Sequence, residues 1–239
     1  MSGREQPRGF VGGIGLTHLQ VYEQRPAPDA MMSGCAHVHA ISDEAYYVIS
    51  GTGAVELHDL EHGFRSVPLA RGSYVQFPPG TLHRSVSTGG LEVLALMSNA
   101  GLAEHGDARI YFGREVDEAS TEFERLVALP GTRGLEGALE RRDASVRAYL
   151  RLLDLWRSHR AAYRVELARF VELHRSRVAT RRAEFERIVT QGPGQWLRVT
   201  LDRLEVPIAG ESGSARQDES ETKLGMCGTL KQFHGLTPV

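Results

Sequence analysis

The stretch that decides the fold is His37-Val-His39-Ala-Ile-Ser-Asp-Glu44, with Gly51 following at a short interval. Residues two apart in a β-strand face the same side, so His37 and His39 are expected to point together. Glu44 follows a short turn and starts the next strand, which returns a carboxylate toward the same point. Downstream lies Gly72, then Pro78-Pro-Gly80 and His83, where the turn redirects the chain and brings in a third imidazole. Three imidazoles and one carboxylate form a donor set for a single divalent transition metal: Fe(II), Mn(II), Ni(II), Cu(II), Co(II) or Zn(II).

The surrounding sequence reads as β-structure from about residue 10 to 112. Leu16–Tyr22, Glu44–Ser50, Ala54–Leu57 and Leu91–Met97 are short runs rich in Val, Leu and Tyr. Gly51-Thr-Gly53, Glu61-His-Gly63, Arg71-Gly72, Pro78-Pro-Gly80 and Gly89-Gly90 supply the turn signals between strands. Strand parity nominates Cys35, Gln76 and Ser85 as cavity-facing substrate contacts. It aligns Tyr46 with Glu44, and Ser85 and Ser87 with His83. Tyr46 is read as a group that orients substrate, and Glu44 as a ligand able to act as a base. His18, His58, His62, His105, His159, His174 and His234 lack ligand spacing and are expected to be surface or structural residues.

These motifs resemble those of the cupin superfamily, in which a His-x-His-x3–4-Glu-x6-Gly pattern is joined to Gly-x5-Pro-x-Gly-x2-His-x3-Asn. Every position matches except the last, where Ser87 stands in place of an Asn that is not a ligand in the family pattern. The resemblance covers residues 10–112 and implies a double-stranded β-helix, or jelly-roll barrel, with His37, His39, Glu44 and His83 as metal ligands. It further implies a small-molecule enzyme, with Fe(II)-dependent dioxygenation as the first expectation. Isomerase, decarboxylase or lyase chemistry with the metal as Lewis acid is the alternative, and a non-catalytic sensor is the reading from another class.

Beyond residue 112 the pattern changes. Residues 138–191 contain neither Gly nor Pro, and apolar residues from Tyr149 to Ile188 recur at helical spacing. This predicts one long amphipathic helix, or a helical hairpin turning near Ser158–Ala162. Gly192-Pro193-Gly194 should end it, and the alternation in Trp196–Ile208 suggests a short strand. Ala209–Thr222 reads as a flexible linker, and Leu224–Val239 as a tail able to dock on the body or on a partner. The expected organisation is therefore a barrel (10–112), a helical extension (113–208), and a linker with tail (209–239).

Charge divides the same way. Residues 1–130 hold 9 basic and 16 acidic residues, whereas 131–191 hold 14 and 8. The Arg-rich helical face is interleaved with acids, so nucleic acid is not the expected partner. Its apolar stripe suits a homodimer contact or a cover for the barrel. The two cysteines make no disulfide framework, no run is long and apolar enough to cross a bilayer, and the polar start lacks a signal-peptide core. A cytoplasmic protein acting on a small molecule is expected.

Overall fold

A strand that changes direction midway needs residues that tolerate positive φ, and the barrel is built around two such strands. A computed structural model describes residues 11–128, 134–205, 216–218, 222–233 and 236–238. Its first part contains β1 (Gly15–Val21), β2 (Met32–Ser33), β3 (His37–His39), β4 (Glu44–Asp59), β5 (Gly63–Ala70), β6 (Tyr74–Phe77), β7 (Leu82–Met97) and β8 (Ala108–Ile110). β4 and β7 are each 16 residues long and pair antiparallel from Glu44↔Met97 to His58↔Leu82, with register shifts between Val48 and Gly53. The expected turns Gly51-Thr-Gly53 and Gly89-Gly90 therefore lie inside continuous strands as irregularities. Gly51 has φ 74°, and a Cβ there would sit 2.0 Å from the Gly90 carbonyl oxygen, so the two strands bend together only with glycine at the crossing. Glu61-His-Gly63 does reverse the chain, from β4 into β5, whereas Arg71-Gly72 only interrupts β5 and β6, which run antiparallel to β4 in one continuing register, and Pro78-Pro-Gly80 leads from β6 to β7.

Inside the barrel, Leu19, Val48, Val55, Leu57, Leu69, Phe77, Leu91 and Val93 form one apolar cluster. The helical part follows as α1 (Arg114–Glu118), α2 (Ser120–Val127), α3 (Gly134–Ser158), α4 (Arg160–Ala179), α5 (Arg182–Gln191) and α6 (Pro193–Glu205). The hairpin alternative is the one adopted: His159, with φ −142°, separates α3 from α4, and a further break separates α5. Tyr149, Leu152, Leu153, Tyr163, Leu167, Phe170 and Val171 of α3 and α4 pack on Val38, Leu82 and Tyr111 of the barrel segment. Buried His58 of β4 joins this interface, with its two ring nitrogens each 2.9 Å from a phenol oxygen, of Tyr149 and Tyr163. Arg141 and Arg142, two of the arginines of the helical part, are buried; Arg142 donates to the carbonyls of Arg25 and Pro26.

Two expectations are corrected here. The strand expected over Trp196–Ile208 is helix α6 as far as Glu205, and residues 206–208 lie outside the described residues. Pro193 takes the first helical position, where its preset φ helps and its missing N–H costs nothing. Leu197, Leu201 and Leu204 are spaced for a helix as readily as the neighbouring residues alternate for a strand. The linker expected over 209–222 falls largely outside the described residues, but Arg216–Asp218 forms β9, paired with β12 (Leu236–Pro238). Between them, β10 (Thr222–Leu224) and β11 (Gly228–Gln232) extend the barrel sheet, β11 pairing with β1 from Thr17↔Gln232 to Val21↔Gly228. The tail thus docks as a strand. Among the described residues, no helix is long and apolar enough to cross a membrane.

Candidate metal centre

His37 and His39 open and close the three-residue β3, Glu44 is the first residue of β4, and His83 lies directly across from His37 in register. All four are buried, and one donor atom from each lies within 4.8 Å of the others. His83 Nε2 is 3.0 Å from His37 Nε2, and Glu44 Oε2 is 3.0 Å from His83 Nε2 and 3.2 Å from His39 Nε2. The outer nitrogens all face acceptors: His37 Nδ1 is 3.2 Å from the Cys35 carbonyl, His83 Nδ1 is 3.1 Å from the Thr81 carbonyl, and His39 Nδ1 is 3.2 Å from Asp107 Oδ2. Protons held on Nδ1 leave the Nε2 lone pairs of His37 and His83 aimed at one another. That contact is repulsive unless a cation lies between them. Glu44 Oε2 likewise lacks a hydrogen-bond donor. The residues therefore fit a divalent cation, and the donor chemistry suits the first-row transition metals without selecting one.

Electrostatics agree with a cation-ready site. Burial, then the neighbouring His83 and His39, push the His37 imidazole well below its ordinary range, so it stays neutral. Burial would raise Glu44, but the adjacent His83 and His39 hold its carboxyl well below the usual range. His39 is opposed by burial yet raised to about 9, because the Asp107 and Glu44 carboxylates lie beside its two ring nitrogens. A cation held by these residues would take the place of that proton.

Asp107 was not legible in the sequence, since no motif spacing leads to the short loop before β8. It is fully buried; Oδ1 accepts from the Ala40 and Ile41 amides at 3.0 and 2.7 Å, while Oδ2 takes the His39 ring and the Ser42 amide. One carboxylate thus fixes both the His39 ring and the turn that leads to Glu44. His174 of α4 in turn donates Nε2–H to the Asp107 carbonyl at 2.5 Å, which ties the helical part to the site. Asp107→Ala is expected to weaken metal affinity about 10- to 100-fold, measured by competition with a chelator. Unchanged affinity would show that His39 needs no such support.

Tyr46 stands on the Glu44 face of β4, lines the cavity and has no partner for its hydroxyl, as its parity predicts. Ser85 is buried on the His83 face, also without a partner, but it is not part of the open cavity wall. Ser87 is spent on structure, donating to the Glu23 carboxylate and accepting the Leu91 amide at 3.1 Å. Two parity assignments are corrected. Gln76 is exposed and accepts from the Tyr74 hydroxyl at 2.9 Å; its neighbour Phe77, paired with Glu44, turns inward instead. Cys35 packs against Ile110, Phe112 and Met226, away from the cavity, because it precedes β3 and strand alternation does not reach it. Cys227 occupies the place expected for Cys35. It arrives just before β11, lines the cavity, and puts Sγ 3.5 Å from His37 Nδ1.

The cavity has a volume of about 600 Å³ and runs from His37, His39 and Glu44 past Leu19, Met97, Met226 and Leu230 to an outer edge formed by α5, β10 and the segment after β7. An antiparallel barrel that carries three histidines and a glutamate on its inner wall belongs to the double-stranded β-helix class of candidate metal-binding proteins. Residues 23–98 match the cupin domain family, and the barrel of this chain is a cupin. No curated protein matches the sequence. Among solved structures, the chain is similar to the plu4264 protein of Photorhabdus luminescens, with 16% identity over 41% of this chain and 72% of that one, at a TM-score of 0.31. KdgF from Halomonas sp. is 21% identical over 41% of this chain and 88% of that one, at a TM-score of 0.27. Procruciferin, an 11S globulin from Brassica napus, is 16% identical over 28% of this chain, which spans only 18% of the globulin, at a TM-score of 0.27.

Proposed function

We propose that this protein is a mononuclear metal-dependent enzyme acting on a small organic molecule, and that its reaction is an Fe(II)-dependent dioxygenation. What carries the reading is the make-up of the buried cavity wall. Beside the ligands His37, His39 and Glu44 it holds, among the described residues, only Leu19, Tyr46, Ala95 and Cys227. A Lewis-acid isomerase or lyase needs a carboxylate, imidazole or amine free to move a proton beside the substrate. Among the described residues, the remaining carboxylate, imidazole and amine that line the cavity, Glu104, His105 and Lys223, are all exposed at its outer edge.

Bound iron would supply the redox chemistry that activates dioxygen, and entry of both oxygen atoms into the product requires no outside reductant. The chain's own residues hold and position. Asp107 orients His39, the Tyr46 hydroxyl is free to donate to a substrate oxygen, and Leu19 and Ala95 keep the inner wall apolar. Native protein is expected to carry about one iron per chain and to take up oxygen only when a substrate from a panel of small oxygenated or thiol compounds is present. Turnover that persists without oxygen would replace this reading with Lewis-acid chemistry. Tight ligand binding with no turnover would favour a sensor.

A further inference from the structure

The barrel part of this chain is acidic, yet two cations at the edge of its cavity, where Glu104 also lies, form no ion pair with any described residue. Arg187 of α5 and Lys223 of β10 both line the cavity and are exposed. Other arginines of the helical part are ion-paired: Arg169 with Asp117, Glu118 and Glu166, Arg181 with Glu184, and Arg182 with Glu186. Neither Arg187 nor Lys223 makes an ion pair or side-chain hydrogen bond with any described residue, and Glu184, the acid whose field Arg187 feels, is already held by Arg181. Between these two cations and the metal ligands the wall is mostly apolar, with Leu16, Leu19, Met97, Met226, Leu230 and Phe233.

We infer that the cavity takes an amphipathic organic anion, with an apolar body along this wall and an ionised oxyanion head, such as a carboxylate, held by Arg187 and Lys223. This names the substrate class for the proposed enzyme and rests on that reading for the identity of the site. The volume of about 600 Å³ is in the range of pockets that enclose a single small ligand. An unpaired cation at the entrance of a low-dielectric cavity concentrates anions there and is screened by salt. Both cations come from outside the matched family segment, from a helix and a strand that this chain adds to the barrel.

The probe is octanoate, with octanamide as its neutral counterpart, titrated calorimetrically into the full-length protein in both zinc-loaded and metal-free forms. Octanoate is expected to bind in both forms, more tightly than octanamide, with an affinity that falls as salt rises. Two exposed cations are together worth about 5- to 10-fold, so the double variant Arg187→Gln with Lys223→Gln should lose that factor for octanoate. Its octanamide affinity and metal content should match the native protein. Equal binding of the two probes, no octanoate binding by the native protein, or an unchanged affinity in the double variant would each overturn the inference. Oxygen uptake is measured separately, so octanoate binding without any turnover counts against the dioxygenase and leaves the anion site standing.

Discussion

His37→Ala is expected to abolish stoichiometric metal binding while leaving the barrel folded. The side chain supplies one of only four protein donors, and its Nε2 lies 3.0 Å from that of His83, at the point where the donors converge. If a four-ligand site is worth on the order of 10 kcal/mol, one donor carries about 3 kcal/mol, or roughly two orders of magnitude in affinity. The fold should survive. Metal-free His37 is neutral, and what it gives to the structure is limited to the Nδ1 contacts with the Cys35 carbonyl and the Cys227 thiol. His18→Ala is the matched control, since His18 pairs with Glu92 on β1 and β7 and takes no part in the site. Metal analysis after dialysis, with circular dichroism on the same samples, reads both effects. Native-like metal content in the His37 variant would refute the ligand assignment.

The ligands could be read from the sequence because each spacing states a local geometry. His37 and His39 share a face because they are two apart in one strand. Glu44 follows a turn too short to carry it elsewhere, and Pro78-Pro-Gly80 leaves His83 little freedom. Tyr46 was reached by the same logic, two residues from Glu44 within one strand. Cys35 and Gln76 show where that logic ends. Alternation says nothing of Cys35 outside β3, and for Gln76 an error of one residue reverses the face, which is why Phe77 points inward. Asp107 and Cys227 depend on pairings between distant segments, β8 on β3 and β11 on β1, that no local pattern encodes. Gly51 illustrates a different limit. Positive φ at a glycine signals either a turn or a bend within a strand, and only the partner strand with Gly89 and Gly90 decides between them.

The histidine that fastens the helices to the barrel should also make stability strongly pH-dependent. Burial, reinforced by the Arg84 guanidinium and only partly offset by Asp59, lowers His58 to about 3, whereas an unfolded chain titrates near 6.5. Below pH 6.5 the unfolded chain therefore gains a proton that the native chain refuses. Stability falls as pH drops, by about 1.4 kcal/mol per unit, until native His58 itself becomes charged near 3. His174, lowered to about 4 mainly by burial, acts in the same direction, whereas Asp117, lifted by burial to about 6, acts in the opposite one. Comparison with His58→Gln isolates one proton, because all other groups cancel when both proteins are unfolded in urea with chelator present. Between pH 6 and 4 the native protein is expected to lose about 3 kcal/mol more than the variant. Parallel stability curves would mean that His58 is already protonated in the native fold. The phenols of Tyr149 and Tyr163, each 2.9 Å from a ring nitrogen, would then both be accepting from it, and neither would donate to the imidazole.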